Sequence, residues 1–100
     1  MTIRRDIRRM GTPVHPGEVL LHEFLAPLGL SQAKVARHLG ISVVRMNEIV
    51  RGKRGVSAQT AWLLAGALGT SPQFWVNLQS NYDLATHLPV RRVARLRAAG

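Results

Sequence analysis

Apolar positions recur at intervals of three and four along this chain, and serine, proline and glycine punctuate them. The pattern predicts five helices. The first opens at Pro16-Gly17, since proline lacks an N–H and suits a first helical position. Val19, Leu20, Phe24 and Leu28 form its apolar face, and Pro27-Leu28-Gly29 closes it. Ser31 caps the second helix, which turns Val35, Ala36 and Leu39 inward and stops at Gly40. Ser42 caps the third, with Met46, Ile49 and Val50 inside and Gly52 beyond its end. Ser57 caps the fourth, whose face is Ala61, Leu64, Ala65 and Leu68 before Gly69. Ser71 and Pro72 open the fifth, which carries Phe74, Trp75, Leu78, Tyr82 and Leu84 or Ala85 and ends before Pro89. No segment alternates with period two between turn signals, so the fold class is all-α. There is no low-complexity tract and no repeat of roughly 20 to 50 residues.

The second and third helices carry the chemistry. Residues 31–55, SQAKVARHLGISVVRMNEIVRGKRG, hold two helices of about eight residues around a turn of about three to four, which forces a steep crossing. This is a helix-turn-helix, with the motif proper at 31–52, and its second helix can enter a DNA major groove. Positions 46, 49 and 50 face the core, so 43, 44, 47, 48 and 51 lie on the other side. Ser42 serves its own helix cap or a phosphate. Val43 and Val44 suit thymine methyl groups. Asn47 can read adenine with two hydrogen bonds, and Arg45 or Arg51 can reach guanine or phosphate. Glu48 can accept from cytosine N4 but repels the backbone if misplaced. Arg51, Lys53 and Arg54 look like phosphate clamps, which set affinity more than sequence. Gln32 and the N-terminus of its helix can hold a phosphate where that helix crosses the backbone. The competing reading makes RGKRG a solvated loop and the two valines core.

Charge favours the nucleic-acid reading. The 100 residues carry 14 Lys and Arg against five acids, a net +9. Residues 1–10 contribute +3, residues 89–100 contribute +4, and 11–88 contribute +2. The expected organisation is a basic N-terminal arm at 1–13, a helix-turn-helix domain at 14–88 and a basic tail at 89–100. Such a chain is drawn to phosphate polymers. RNA fits less well, because the A-form major groove is too narrow for a helix. The opening MTIRRDIRRM has no apolar core of a secretory signal, no apolar run is long enough to cross a membrane, and there is no cysteine. A cytoplasmic location is expected.

Other constellations are weaker. His15, Glu18 and His22 share a region, but Pro16 biases His15 out of the helix, so a surface pair with a capping role is expected rather than a metal site. Three Glu and two Asp leave little material for acid–base catalysis. No enzyme activity, cofactor or metal is expected. The fifth helix looks two-sided, which suggests an interface. Phe74 and Leu78 are expected in the core and Trp75 at or near a dimer contact, with Trp62 beside it. Trp62, Phe74, Trp75, Leu78 and Tyr82 together make up the candidate dimer seam.

HPGEVLLHEFLAPLGLSQAKVARHLGIS, followed by GKRGVSAQTAWLLAGALGTSPQFWVNLQSNYDL, resembles the HigA-type antitoxins of HigB–HigA toxin–antitoxin modules. These belong to the wider Cro/repressor-like (XRE) helix-turn-helix family. The resemblance covers about residues 14 to 84. It implies a five-helix lambda-repressor-like domain that dimerises through its last helices. It also implies a homodimeric repressor that binds a palindrome in its own promoter and neutralises a HigB/RelE-like mRNA endonuclease toxin. The family's recognition helix matches 43–51 here. Positions 43 and 44 are often polar in repressor-like proteins, whereas both are Val here, so no operator sequence carries over. Stand-alone XRE-family regulators without a toxin partner are the alternative.

Overall fold

A computed structural model describes residues 13–99, and every regular element among them is helical. The first helix, α1, is α-helical over Pro16–Val19, widens to a π-helix over Leu20–Leu25 and returns to α over Ala26–Leu28. It is followed by α2 (Gln32–Leu39), α3 (Val43–Val50), α4 (Ala58–Leu68) and α5 (Pro72–Thr86). The four predicted serine caps are in place. Ser31, Ser42, Ser57 and Ser71 each accept a hydrogen bond from the backbone N–H three residues on, at 3.0–3.2 Å.

The π turn in α1 was not expected, and Pro27 accounts for it. Proline has no N–H to give, and its ring crowds the carbonyl four residues earlier, so the preceding turn opens. The Ala26 N–H accordingly bonds back five residues, to the Leu21 carbonyl. The wider turn brings Leu20 and Leu25, five apart, onto one buried line. It also rotates Leu28 outward, 61% exposed, which corrects its expected place on the apolar face.

One core joins all five helices. Leu20 and Leu25 meet Ala36, Met46, Ile49, Leu64 and Trp75, all essentially inaccessible to solvent. Gly17 sets how closely α1 approaches α3, because a Cβ there would lie 1.9 Å from the Ile49 carbonyl oxygen.

The aromatic assignment on α5 is reversed. Trp75 is completely buried, and its Nε1–H donates to Thr70 Oγ1 at 2.7 Å. Its ring packs on Phe24 at 5.4 Å between centroids and on Phe74 at 5.0 Å. Phe74 is 38% exposed instead. The reason is register: positions 75, 78 and 82 close to within about 20° over seven residues, whereas 74, 78 and 82 drift by about 80° over eight. Trp75 is therefore core and is removed from the seam candidates, while Leu78 packs half-buried against that core.

His15 joins three elements. Its Nδ1 accepts from the Gly17 N–H at 2.9 Å and so caps α1. Its ring stands edge-on to Tyr82 of α5, 4.9 Å between centroids, and lies beside Gly52 after α3. The cap role is as expected, but the side chain is buried rather than on the surface. Burial lowers the imidazole below its ordinary 6.5, against the opposing pull of Asp83, Glu18 and a backbone hydrogen bond to Arg54. The unfolded chain therefore binds this proton more tightly. The associated stability is present above about pH 6.5 and is lost as pH falls through the lowered folded value. We expect the melting temperature to fall on acidification from pH 7 to 5, and His15→Asn, which keeps a cap acceptor, to flatten that dependence. An equally steep profile in His15→Asn would remove His15 as the cause.

Candidate nucleic-acid interface

The surface built by α2, α3 and the loop after α3 gathers the residues the sequence singled out. At the tip of α3, Val43 and Val44 are 51% and 69% exposed, so neither belongs to the core. Their helix cannot roll to hide them, because Met46, Ile49 and Val50 hold its opposite side in the core. Ser42 spends its Oγ as an acceptor for Arg45 N–H, which leaves the hydroxyl hydrogen free to donate outward.

Gln32 and Asn47 meet across the motif. Asn47 Nδ2 donates to Gln32 Oε1 at 3.2 Å and couples the start of α2 to the middle of α3. Asn47 keeps its second amide hydrogen and its Oδ1, the pair an adenine edge requires. The sequence pointed to both residues, but nothing in it paired them.

Arg45 departs from expectation. Its side chain turns toward α4 and donates from Nη2 to Thr60 Oγ1 at 2.7 Å. Thr60 also lies 3.2 Å from Ser57 Oγ at the α4 cap. The Arg45 Nε–H is buried without a partner. Arg45 thus braces the α3–α4 junction and brings positive charge to the N-terminus of α4, and it is not extended toward a base edge.

The loop after α3 is shaped by Glu48. Its backbone carbonyl accepts from the Lys53 N–H at 2.8 Å and the Arg54 N–H at 3.2 Å. Its carboxylate accepts from Arg54 Nε at 3.0 Å and Nη2 at 2.9 Å. With both side chains well exposed, this ion pair is worth at most about 1 kcal/mol. Its effect is to orient Arg54 and to neutralise the one carboxylate of the recognition helix, where the sequence had left Glu48 free to reach cytosine. Arg51 and Lys53 remain exposed cations on the same loop. Among the described residues no group of three His, Cys, Asp or Glu could hold a metal, and no helix is long and apolar enough to cross a membrane.

Residues 21–75 match the family model for helix-turn-helix domains. The chain is 40% identical over 83 residues to antitoxin HigA-1 of Vibrio cholerae, covering 82% of this chain and 74% of that one. The chain belongs to the HigA-type antitoxin family. Virulence-associated protein I of Dichelobacter nodosus is 48% identical over 71 residues, 71% of this chain and 66% of its own length. The chain thus spans just under two thirds of that relative. Among solved structures, Pseudomonas aeruginosa antitoxin HigA with the higBA promoter superposes with a TM-score of 0.73 at 51% identity, over 74% of this chain and 80% of that one. Members of the family are thus known with DNA, and the five-helix architecture is shared with them.

Proposed function

We propose that this protein is a sequence-specific DNA-binding antitoxin that represses its own toxin–antitoxin operon and neutralises a HigB/RelE-like mRNA endonuclease. The observation that carries the DNA reading is the pair of exposed valines at the tip of a recognition helix fixed by the core. Such exposure is unfavourable in water and becomes useful only against an apolar partner such as thymine methyls. In this reading Val43, Val44, Asn47 and the free hydrogen of Ser42 face the groove. Arg51, Lys53 and Arg54 grip phosphate, and Gln32 positions Asn47. The site of action is the cytoplasm, where the operon and the toxin's mRNA targets are. The protein itself has no catalytic role.

The active form is a homodimer on a palindrome, with recognition helices about 34 Å apart. Trp62 supports an α4-centred seam. It is 68% exposed and stands one turn from Gly66, whose face is open space. Phe74 and Tyr82 contribute less in this arrangement. Phe74 spends one face on Trp75, and Tyr82 is half-buried against His15.

Fluorescence anisotropy with a duplex from this gene's own upstream region tests the reading. Binding about 10³-fold tighter than to a scrambled duplex, at two protomers per duplex, is the expected result. Trp62→Glu should leave one protomer per duplex and weaken binding. Equal affinity for the two duplexes, lost together as salt rises, would reduce the function to charge alone. Toxin neutralisation is read separately, by co-expression with the adjacent reading frame. No rescue of growth there would leave a stand-alone regulator.

A further inference from the structure

Residues 88–99 follow α5 without regular structure, and all of them are exposed. This segment carries Arg91, Arg92, Arg95 and Arg97 and no acid. Among the described residues the one ion pair is Arg54–Glu48, so these four guanidinium groups have no carboxylate partner. The tail also lies outside residues 21–75, the part matched by the helix-turn-helix family model.

Its point of departure is specific. Tyr82, one turn before the end of α5, packs on His15, which lies beside Gly52 just past the recognition helix. Pro13, Arg51, Gly52 and Tyr82 line one small cleft there. Gln79 Oε1, one turn earlier on α5, accepts from the Val56 N–H at 2.8 Å, at the far end of the same loop. The C-terminal half of α5 is therefore fastened to the loop after α3, and the tail begins six residues beyond Tyr82, which shares a cleft with Arg51. At about 3.3 Å per residue, the stretch from Leu88 to Arg97 reaches about 30 Å, close to one turn of duplex.

We propose that the 88–97 tail is a second DNA-contacting arm, which lies along the phosphate backbone of duplex flanking the operator core. Each arginine that reaches a phosphate releases counterions and steepens the salt dependence of binding. The arm adds affinity and footprint without adding sequence information. The inference rests on the DNA-binding reading above, and its test separates the two.

The experiment uses the full chain and its R91Q/R92Q/R95Q/R97Q variant, whose changed residues are all exposed. The probes are the minimal duplex protected by the variant, which lacks the arm's footprint, and a second duplex with about two further helical turns on each side. On the longer duplex the variant should lose about 3 to 4 from the log–log salt slope per protomer, at about 0.9 per phosphate, and bind about 10²-fold more weakly near 0.1 M salt. On the minimal duplex the loss should be small. An unchanged slope on the longer duplex would overturn the proposal, since the arginines would then not meet phosphate. Equal losses on both duplexes would overturn it too, by placing them within the core site. If the unaltered chain fails to prefer its upstream duplex over a scrambled one, the DNA-binding reading itself falls, and that result is visible before any variant is made.

Discussion

Gly17→Ala is expected to cost the protein a large share of its stability, at least about 3 kcal/mol. On propensity alone the change should help, since alanine in a helix is favoured over glycine by about 1 kcal/mol. The tertiary contact decides otherwise. The added Cβ would lie 1.9 Å from the Ile49 carbonyl oxygen and 2.9 Å from Val50 Cα. Both neighbours are backbone of α3, so no side chain can swing away. Relief requires α1 and α3 to move apart, which opens the contact that buries Leu20 against Met46 and Ile49. It also pulls His15 from Gly52 and Tyr82. Overpacking that forces backbone shifts costs about 1–3 kcal/mol or more, and the upper end applies to so short an approach. Domains of this size hold only about 5–15 kcal/mol in total. Urea denaturation checks this, with an expected loss of at least about 3 kcal/mol. A variant within about 0.5 kcal/mol of the parent would mean that the α1–α3 approach yields freely.

That contact also marks where the sequence stopped being legible. Helix starts and stops were readable because their causes lie within three or four residues: a serine and the N–H it caps, or a glycine at positive φ such as Gly40. Pro16-Gly17 marks a helix opening in the sequence, but the demand for glycine comes from Ile49, more than thirty residues away. The π turn is not legible because Pro27 signals only a stop for α1, while its strain is taken up in the turn before it. Phe74 and Trp75 exchange places because both fall at helical spacing from Leu78 and Tyr82, Phe74 at i, i+4, i+8 and Trp75 at i, i+3, i+7. Over two turns the second follows a straight helix more closely. In the candidate site, the exposure of Val43 and Val44 follows from the placement of Met46, Ile49 and Val50. The turn of Arg45 toward Thr60 does not follow, because it depends on where α4 begins in space. The pairing of Glu48 with Arg54 sits six residues apart across a helix end, where helical spacing rules no longer apply.

Val44→Asp should abolish specific duplex binding while leaving the fold intact. Val44 is 69% exposed, so its loss removes little core contact. Exposed substitutions of this kind stay within about 0.5 kcal/mol. An acid in the first turn of α3 is also on the favourable side of the helix dipole. Against DNA both changes work the other way. The methyl contact is lost, at about 1 kcal/mol for the apolar area it buries. A carboxylate is driven toward phosphates and acceptor-rich base edges, and unfavourable charge of this kind costs several kcal/mol at an interface. Together these amount to a loss of at least about 10³-fold in affinity, with no new preference for another sequence. Val44→Thr keeps one methyl group and should fall between the two. Anisotropy on the upstream duplex and a melting curve, run on the same preparation, give the two halves of the result. Toxin neutralisation by co-expression should survive, because in the proposed arrangement the altered side chain faces only the groove. A fall in melting temperature comparable to that of a core truncation would show Val44 to be part of the packing. The apolar tip of α3 would then have a structural cause, and base reading would rest on Asn47 and Ser42.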